Sequence, residues 1–421
     1  MNFFARYKKI FLILGFLAIV FALGYLLWRF FFQTAVISPV ATSTPGTVNG
    51  LPSAGLGTGT SSDQTGGQSG LPTTEGQGGT TIPGQGGPGI NEPNPVAAGG
   101  TTHAEILSKS PSLNPTLSKD GGVQYYDKND GKFYRVDSDG NKTALSDKVF
   151  HSVDTVTWAP DKNKAILVYP DGSKILYDFN TQKQVTLPAH WKDFSFSPDS
   201  SQIISKSIGI DPDNRWLVVS NDDGSKSKAV EEIGTNDATI YPSWSPNNQI
   251  VAMYTEGVDF DRQEVFFIGL NGENFKSTIV EGRGFEPKWS TTGDRLLYSV
   301  YNSSDGLKPR LWIVDANSDT ISQNRHSIDI QTWADKCTFA SNTEIYCAVP
   351  ENLETGAGLF PELADKTKDN LYKIDLETGS QKLIAVPDGS YNISQIIVGQ
   401  DQDYLYFTDK FSGSIYKVRL R

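Results

Sequence analysis

From residue 103 onward the chain is built of short apolar runs separated by polar turns. Ala165-Ile166-Leu167-Val168, Ile203-Ile204-Ser205, Ile250-Val251-Ala252-Met253-Tyr254 and Leu296-Leu297-Tyr298-Ser299-Val300 are examples. They are too short for helices and rich in β-branched and aromatic residues, which predicts strands buried on both faces. Each follows an aromatic residue and a turn: Val156-Thr157-Trp158-Ala159-Pro160-Asp161, Phe194-Ser195-Phe196-Ser197-Pro198-Asp199, Tyr241-Pro242-Ser243-Trp244-Ser245-Pro246-Asn247 and Pro287-Lys288-Trp289-Ser290-Thr291-Thr292-Gly293-Asp294. Proline cannot donate to a ladder, so Pro160, Pro198 and Pro246 mark where a first strand leaves its sheet. After each apolar run come a polar turn, a third strand that often closes on Asp (Ile175-Leu176-Tyr177-Asp178, Leu311-Trp312-Ile313-Val314-Asp315) and a shorter, more polar fourth strand.

The anchor aromatics Trp158, Phe196, Trp244 and Trp289 are 38, 48 and 45 residues apart. A period of roughly 40–50 residues predicts radially repeated four-stranded sheets. Seven units can be counted. The first starts near Ser112 with a worn motif, Asn114-Pro115-Thr116-Leu117-Ser118-Lys119-Asp120-Gly121. The sixth carries Phe339 at the anchor position, and the seventh runs from Ile393 to Val418. The expected fold is all-β, a seven-bladed β-propeller; six or eight blades are the fallbacks, because the boundary between the fifth and sixth units is weakly marked. The seventh unit lacks a fourth strand, and Ala104-Glu105-Ile106-Leu107-Ser108 precedes the first. This spare segment is expected to supply the missing strand and close the ring.

The recurring aromatic-Ser-Pro-Asp motif with its apolar strand resembles the TolB-like, WD-type propeller repeats of bacterial envelope proteins, over residues 104–421. The resemblance implies the fold but not one activity. Propellers of this kind serve as protein-binding discs, as gates of prolyl-oligopeptidase-type peptidases and as lyases. A peptidase would need a nucleophile elbow, and no Gly-x-Ser-x-Gly is present.

Ahead of the repeats the pattern changes twice. Residues 10–28 carry no charge, with Arg6, Lys8 and Lys9 before them and no Lys or Arg between Arg29 and Lys109. Such a run just covers a hydrocarbon core of about 30 Å. The charge bias puts the N-terminus in the cytoplasm and the rest outside. A cleaved signal peptide is the alternative, but its apolar region is shorter and ends in small residues rather than Phe30-Phe31-Phe32. Next comes a Gly-, Thr-, Ser-, Pro- and Gln-rich stretch with too few large apolar residues to offset the entropy of ordering. The expected organisation is a cytoplasmic tail (1–9), a transmembrane signal-anchor helix (10–32), a disordered linker (33–102) and an extracytoplasmic propeller (103–421).

The whole chain has 421 residues and a net charge of −11. With no basic stripe, nucleic acid is a poor partner. The four histidines, His103, His151, His190 and His326, are scattered, with no pair at metal-ligand spacing. Asp-rich segments such as Asp127-Lys128-Asn129-Asp130-Gly131, Asp137-Ser138-Asp139-Gly140 and Asp259-Phe260-Asp261 read as turns. Calcium there is the alternative, and no other cofactor or metal is expected. Cys337 and Cys347 are each five residues from Asn342, so a hairpin centred there sets them opposite each other, near disulfide range. An oxidising location favours the bond; two buried free thiols are the alternative.

One insertion breaks the repeat. About twenty residues, between Pro350 and Asp369, separate the second and third strands of the sixth unit. Loops of this length are functional or disordered. Leu359, Phe360, Glu362 and Leu363 are the candidate binding residues, with the apolar side chains either anchoring a partner or folding back over the disc. The expected function is a non-catalytic protein-binding or scaffolding module of the cell envelope, with a monomeric head and an envelope protein as partner. The alternative is a propeller-type lyase or hydrolase acting on cell-wall or extracellular polysaccharide.

Overall fold

Seven four-stranded antiparallel sheets make up the repeat region in the computed structural model, which describes residues 16–25 and 100–420. The chain is a seven-bladed β-propeller. Blades 1 to 6 each use four consecutive strands. The inner strands are Ser112–Leu117, Thr155–Trp158, Trp191–Phe196, Ile240–Pro242, Arg283–Trp289 and Cys337–Phe339. Blade 7 contains Ile393–Val398, Tyr404–Asp409 and Ile415–Arg419, and its outer strand is Glu105–Ser108 from the start of the head. Glu105 pairs with Lys417, Ile106 with Tyr416 and Ser108 with Ile415. The ring therefore closes as the spare segment predicts. Two further bonds hold the closure: Ser414 Oγ donates to the Lys109 carbonyl (3.3 Å) and Tyr125 Oη to Ser108 Oγ (2.9 Å).

The continuous apolar runs have a simple cause. Successive residues of a strand point to opposite faces, and both faces of each blade meet another blade. Ile203 packs with blade 2 while Ile204 packs with blade 4. Leu296 and Leu297 divide in the same way between blades 4 and 6. One buried cluster fills each of the seven interfaces, including the closing one, where Ile397, Tyr406 and Ile415 meet Val123, Tyr125 and Val136.

The repeated motif is turn chemistry. In blade 3 the Ser197 amide donates to the Gln202 carbonyl (2.9 Å), and the buried Ser197 hydroxyl accepts from the Gln202 amide (2.9 Å). Ser245 does the same with Ile250, and Ser290 with Arg295. The fourth residue of the turn is left-handed in every case: Lys162, Ser200, Asn248 and Gly293 have φ between 61° and 78°. The anchor indoles bind too. Trp158 Nε1 donates to the Asn114 carbonyl (2.8 Å) and Trp289 Nε1 to Ser243 Oγ (2.9 Å), each reaching the preceding blade. Trp244, Phe196 and Phe339 are buried.

The boundary that the sequence marks weakly lies at a 3-10 turn, Ala334–Lys336, just before the inner strand of blade 6. Ahead of the propeller, the described helix covers residues 16–25 only. Among the described residues no helix is long and apolar enough to cross a membrane. The transmembrane helix expected over 10–32 is thus not shown; the rest of that stretch, the tail 1–9 and linker residues 33–99 lie outside the described residues.

Candidate functional site

Antiparallel order sorts the connections onto two faces. Turns between strands 1 and 2 and between strands 3 and 4 lie on one face; those between strands 2 and 3, with the links between blades, lie on the other. The second face gathers the unusual features.

The insertion of blade 6 occupies this face as residues 351–368. It is pinned at its base. The Gly356 amide donates to the Gly306 carbonyl (2.9 Å) and the Gly358 amide to the Leu307 carbonyl (2.7 Å), both on the corresponding loop of blade 5. A Cβ at Gly358 would lie 2.5 Å from Tyr301 Cβ, so only glycine allows this approach. Ala357 and Ala364 are buried against Trp333. Asn392 Nδ2, at the start of blade 7, donates to the Ala364 carbonyl (2.9 Å). On this fixed base Leu359, Phe360 and Leu363 stand 45%, 58% and 39% exposed, with Glu362 exposed beside them.

They have company that sequence reading missed. Ile210 (blade 3), Val258 and Phe260 (blade 4) and Phe411 (blade 7) are exposed on connections between strands 2 and 3, and Val149 on the link from blade 1 to blade 2. Among the described residues of the head, every exposed large apolar residue outside a strand is on this face. The signal was there in Gly209-Ile210-Asp211 and Asp259-Phe260-Asp261, where an apolar residue has no reason to sit in a polar turn. Carboxylates flank these tips: Asp211 and Asp213 beside Ile210, Asp259 and Asp261 beside Phe260.

A second group of residues borders the propeller axis. A cavity of about 380 Å³ lies between the inner strands of blades 1, 5, 6 and 7, with Lys288, Thr116, Thr338 and Gln395 among its walls. The inner strand of blade 5 is bulged between Arg283 and Glu286, with Gly284 at φ 66°. A bulge re-aims the side chains that follow it. Glu286 and Lys288 share one face of this strand. Glu286 bonds the Ser299 hydroxyl (3.2 Å), and Lys288 Nζ donates to the Cys337 carbonyl. Burial, aided by the Asp335 carboxylate, pushes Glu286 up to about 7. Burial lowers Lys288 against the pull of Asp335. Asp335 is itself raised by the protein around it, and Lys288 and Lys336 hold it down; its access to water limits the rise. The adjoining Lys336–Asp369 pair (2.8 Å) is buried and structural, since Asp369 also accepts from the Ile393 amide (2.6 Å).

The other singled-out residues lie apart from both groups. Cys337 and Cys347 are cross-strand partners with Cα atoms 4.0 Å apart, joined as a disulfide and fully buried. His103 meets Asp388 (2.7 Å) at the ring closure, and His326 Nδ1 bonds the Asn324 carbonyl (2.9 Å). The Asp-rich turns spend their carboxylates on their own backbone: Asp127 accepts from Asn129, Asp137 from Asp139 and Asn141, and Asp259 from Asp261. Among the described residues no group of three or more His, Cys, Asp or Glu side chains is placed to hold a metal ion.

No protein-family model matches the chain, and no curated protein matches it. Solved structures do. An oligogalacturonate lyase in complex with manganese superposes with a TM-score of 0.50 at 14% identity, over 76% of this chain and 90% of that one. A streptogramin B lyase matches with TM-score 0.50 at 12% identity, over 76% and 98%. The Myceliophteria thermophila Cps50 (Swd1) β-propeller domain matches with TM-score 0.50 at 13% identity, over 76% and 100%. At these identities the likeness is one of fold, and the fold it shows is the β-propeller.

Proposed function

We propose that the chain is a membrane-anchored, extracytoplasmic propeller of the TolB-like kind that binds a protein partner of the cell envelope through the face carrying the insertion. One observation carries the reading: among the described residues, the exposed large apolar loop residues of the head are confined to that face, and the largest group of them is held on a pinned base. A rigid base lowers the ordering cost of binding, and clustered apolar tips are interaction surface. The carboxylates beside the tips favour a partner with basic as well as apolar groups over an anionic bilayer. The anchor rests on the uncharged run at 10–28 and the charge bias around it.

The test is site-specific photo-crosslinking in intact cells. A photo-reactive residue at Phe260, Phe360 or Phe411 should capture one and the same protein. The same probe at Thr181, on the opposite face, should not. Equal capture from both faces, or none from any position, ends the proposal.

The channel group favours a second reading, a lyase or hydrolase acting on wall or extracellular polysaccharide. A carboxyl with its pKa near 7, beside a lysine and a second carboxyl, is suited to proton transfer. Glu286→Gln decides it, because the amide keeps the shape and cannot carry the proton. Cleavage of soluble wall polysaccharide should be abolished in the variant. Cleavage that survives the change, or absent from the unaltered protein, removes the enzyme.

A further inference from the structure

Two lysines beside the propeller axis have no counter-ion. The axial cavity of about 380 Å³ lies toward the face of the strand 1–2 turns, opposite the insertion, since its walls include the last residues of the inner strands of blades 1, 6 and 7. Those walls hold one charged side chain, Lys288, and no carboxylate. Lys162 adjoins the cavity from blade 2. It takes the left-handed position of its turn (φ 62°), Gln124 Nε2 donates to its carbonyl (3.0 Å), and its Nζ donates to Thr116 Oγ1 (2.9 Å) on the cavity wall. Both lysines are partly buried. Elsewhere in the head inward lysines are paired: Lys206 meets Asp193 (2.7 Å) and Lys336 meets Asp369 (2.8 Å). Among the described residues Lys162 and Lys288 form no ion pair, and each ammonium makes a single hydrogen bond, to the Thr116 hydroxyl and to the Cys337 carbonyl. Asp335 attracts Lys288 across a gap and acts on Lys336 as well. Burial lowers the pKa of both unpaired lysines, a penalty on their charge that a bound anion would offset.

Donors are left over at this place. An ammonium can donate more than one hydrogen bond. The Thr116 oxygen accepts from Lys162, so its own hydrogen is free to donate, and the Thr338 hydroxyl, also on the wall, makes no hydrogen bond to other described groups. Two cations and two hydroxyl donors around a cavity without carboxylates describe the recognition of a negatively charged oxygen group, by charge-assisted hydrogen bonds. A neutral or cationic ligand would leave both ammonium groups unmatched. We infer that the axial cavity binds a small oxyanion, the phosphate or carboxylate head of a molecule, between Lys288 on blade 5 and Lys162 beside the inner strand of blade 1. Its volume suits such a ligand, and the apolar walls at Leu117, Phe339 and Ile397 would cover a small organic body. The inference stands apart from the protein-binding proposal, which concerns the opposite face, and it requires no reaction at Glu286.

The experiment is calorimetric titration of the full-length chain in a non-ionic detergent near neutral pH, with sodium phosphate and with sodium succinate, the ionic strength held constant with sodium chloride. At least one of the two anions should saturate a single site per chain, and the one that binds more tightly names the head group. Lys288→Met and Lys162→Met keep the side-chain length and remove the charge, and each should weaken binding at least tenfold. Lys119→Met, at an exposed lysine on the same face, should leave the binding as it was. Thr338→Val removes a donor without changing charge; it should weaken binding about threefold, and it decides the matter should a lysine variant fail to fold. Three outcomes overturn the inference: neither anion saturates the chain above the chloride background, the cavity variants bind as well as the parent, or Lys119→Met loses as much affinity as they do.

Discussion

Glu286 shows what one residue costs when a blade edge encloses it. Its folded pKa, about 7, lies above its unfolded value, so the native state binds the extra proton. Stability from this group is therefore intact below the unfolded value near 4.5 and is lost as pH rises toward 7. Because the side chain is only partly buried, the loss is discounted to about 2 kcal/mol. Glu286→Gln should unfold at a higher temperature than the parent at pH 8 and lose the advantage at pH 4, as followed by circular dichroism. A parallel pH dependence in both proteins would contradict the assignment. Sequence reading had no access to this group. Period-two alternation gives a strand residue one face or the other, but the bulge at Gly284 and the turn that carries Asp335 shape the surroundings of Glu286. The facing of Cys337 and Cys347, in contrast, follows from equal spacing about Asn342, because a hairpin leaves no other register once its turn is placed.

At the scale of the element, the blade 6 hairpin and the repeated turn show how local rules set geometry. The disulfide closes a separation of 10 residues between two fully buried cysteines. A loop of that length stabilises by about 3 kcal/mol through the unfolded state. Cys347→Ser should lower the unfolding temperature of the oxidised protein and leave a chain already treated with dithiothreitol nearly unaffected. An equal loss with and without reductant would place the cost in core packing instead. The Ser-Pro-Asp turns were legible as turns, but their left-handed fourth residue was not, since Lys162 and Ser200 are types that seldom adopt it. The insertion could be located by length alone. Its rigidity could not, because the glycines at 356 and 358 acquire meaning only when the blade 5 loop lies against them.

For the whole molecule, repetition made the architecture readable. Each blade restates the same pattern, so a unit with a worn motif is recovered from its neighbours, and the boundary before blade 6 was obscure because Phe339-Ala340-Ser341-Asn342 retains little of the aromatic-Ser-Pro-Asp motif. The face carrying the exposed apolar tips was hidden for a related reason: Ile210, Phe260 and Phe411 belong to different blades, and only closure into a ring brings them to one side. Closure itself is testable. Deleting residues 103–110 removes the strand paired with Ile415–Arg419 and leaves that strand as an open edge. The shortened protein should unfold roughly 5–10 °C lower and self-associate with rising concentration in sedimentation runs. A protein melting like the parent would show that the pairing contributes nothing.

The clasp between the first and last strands also orders events in time. Ser414 and Lys109, bonded across it, are 305 residues apart, so the earliest strand of the head must wait, unpaired, while six blades are made. Until the final strand emerges the disc is an open arc with two bare edges. Any interruption of synthesis late in the chain leaves almost the entire head present and none of it sealed, which makes the closing strand the point at which this protein is most exposed to quality control.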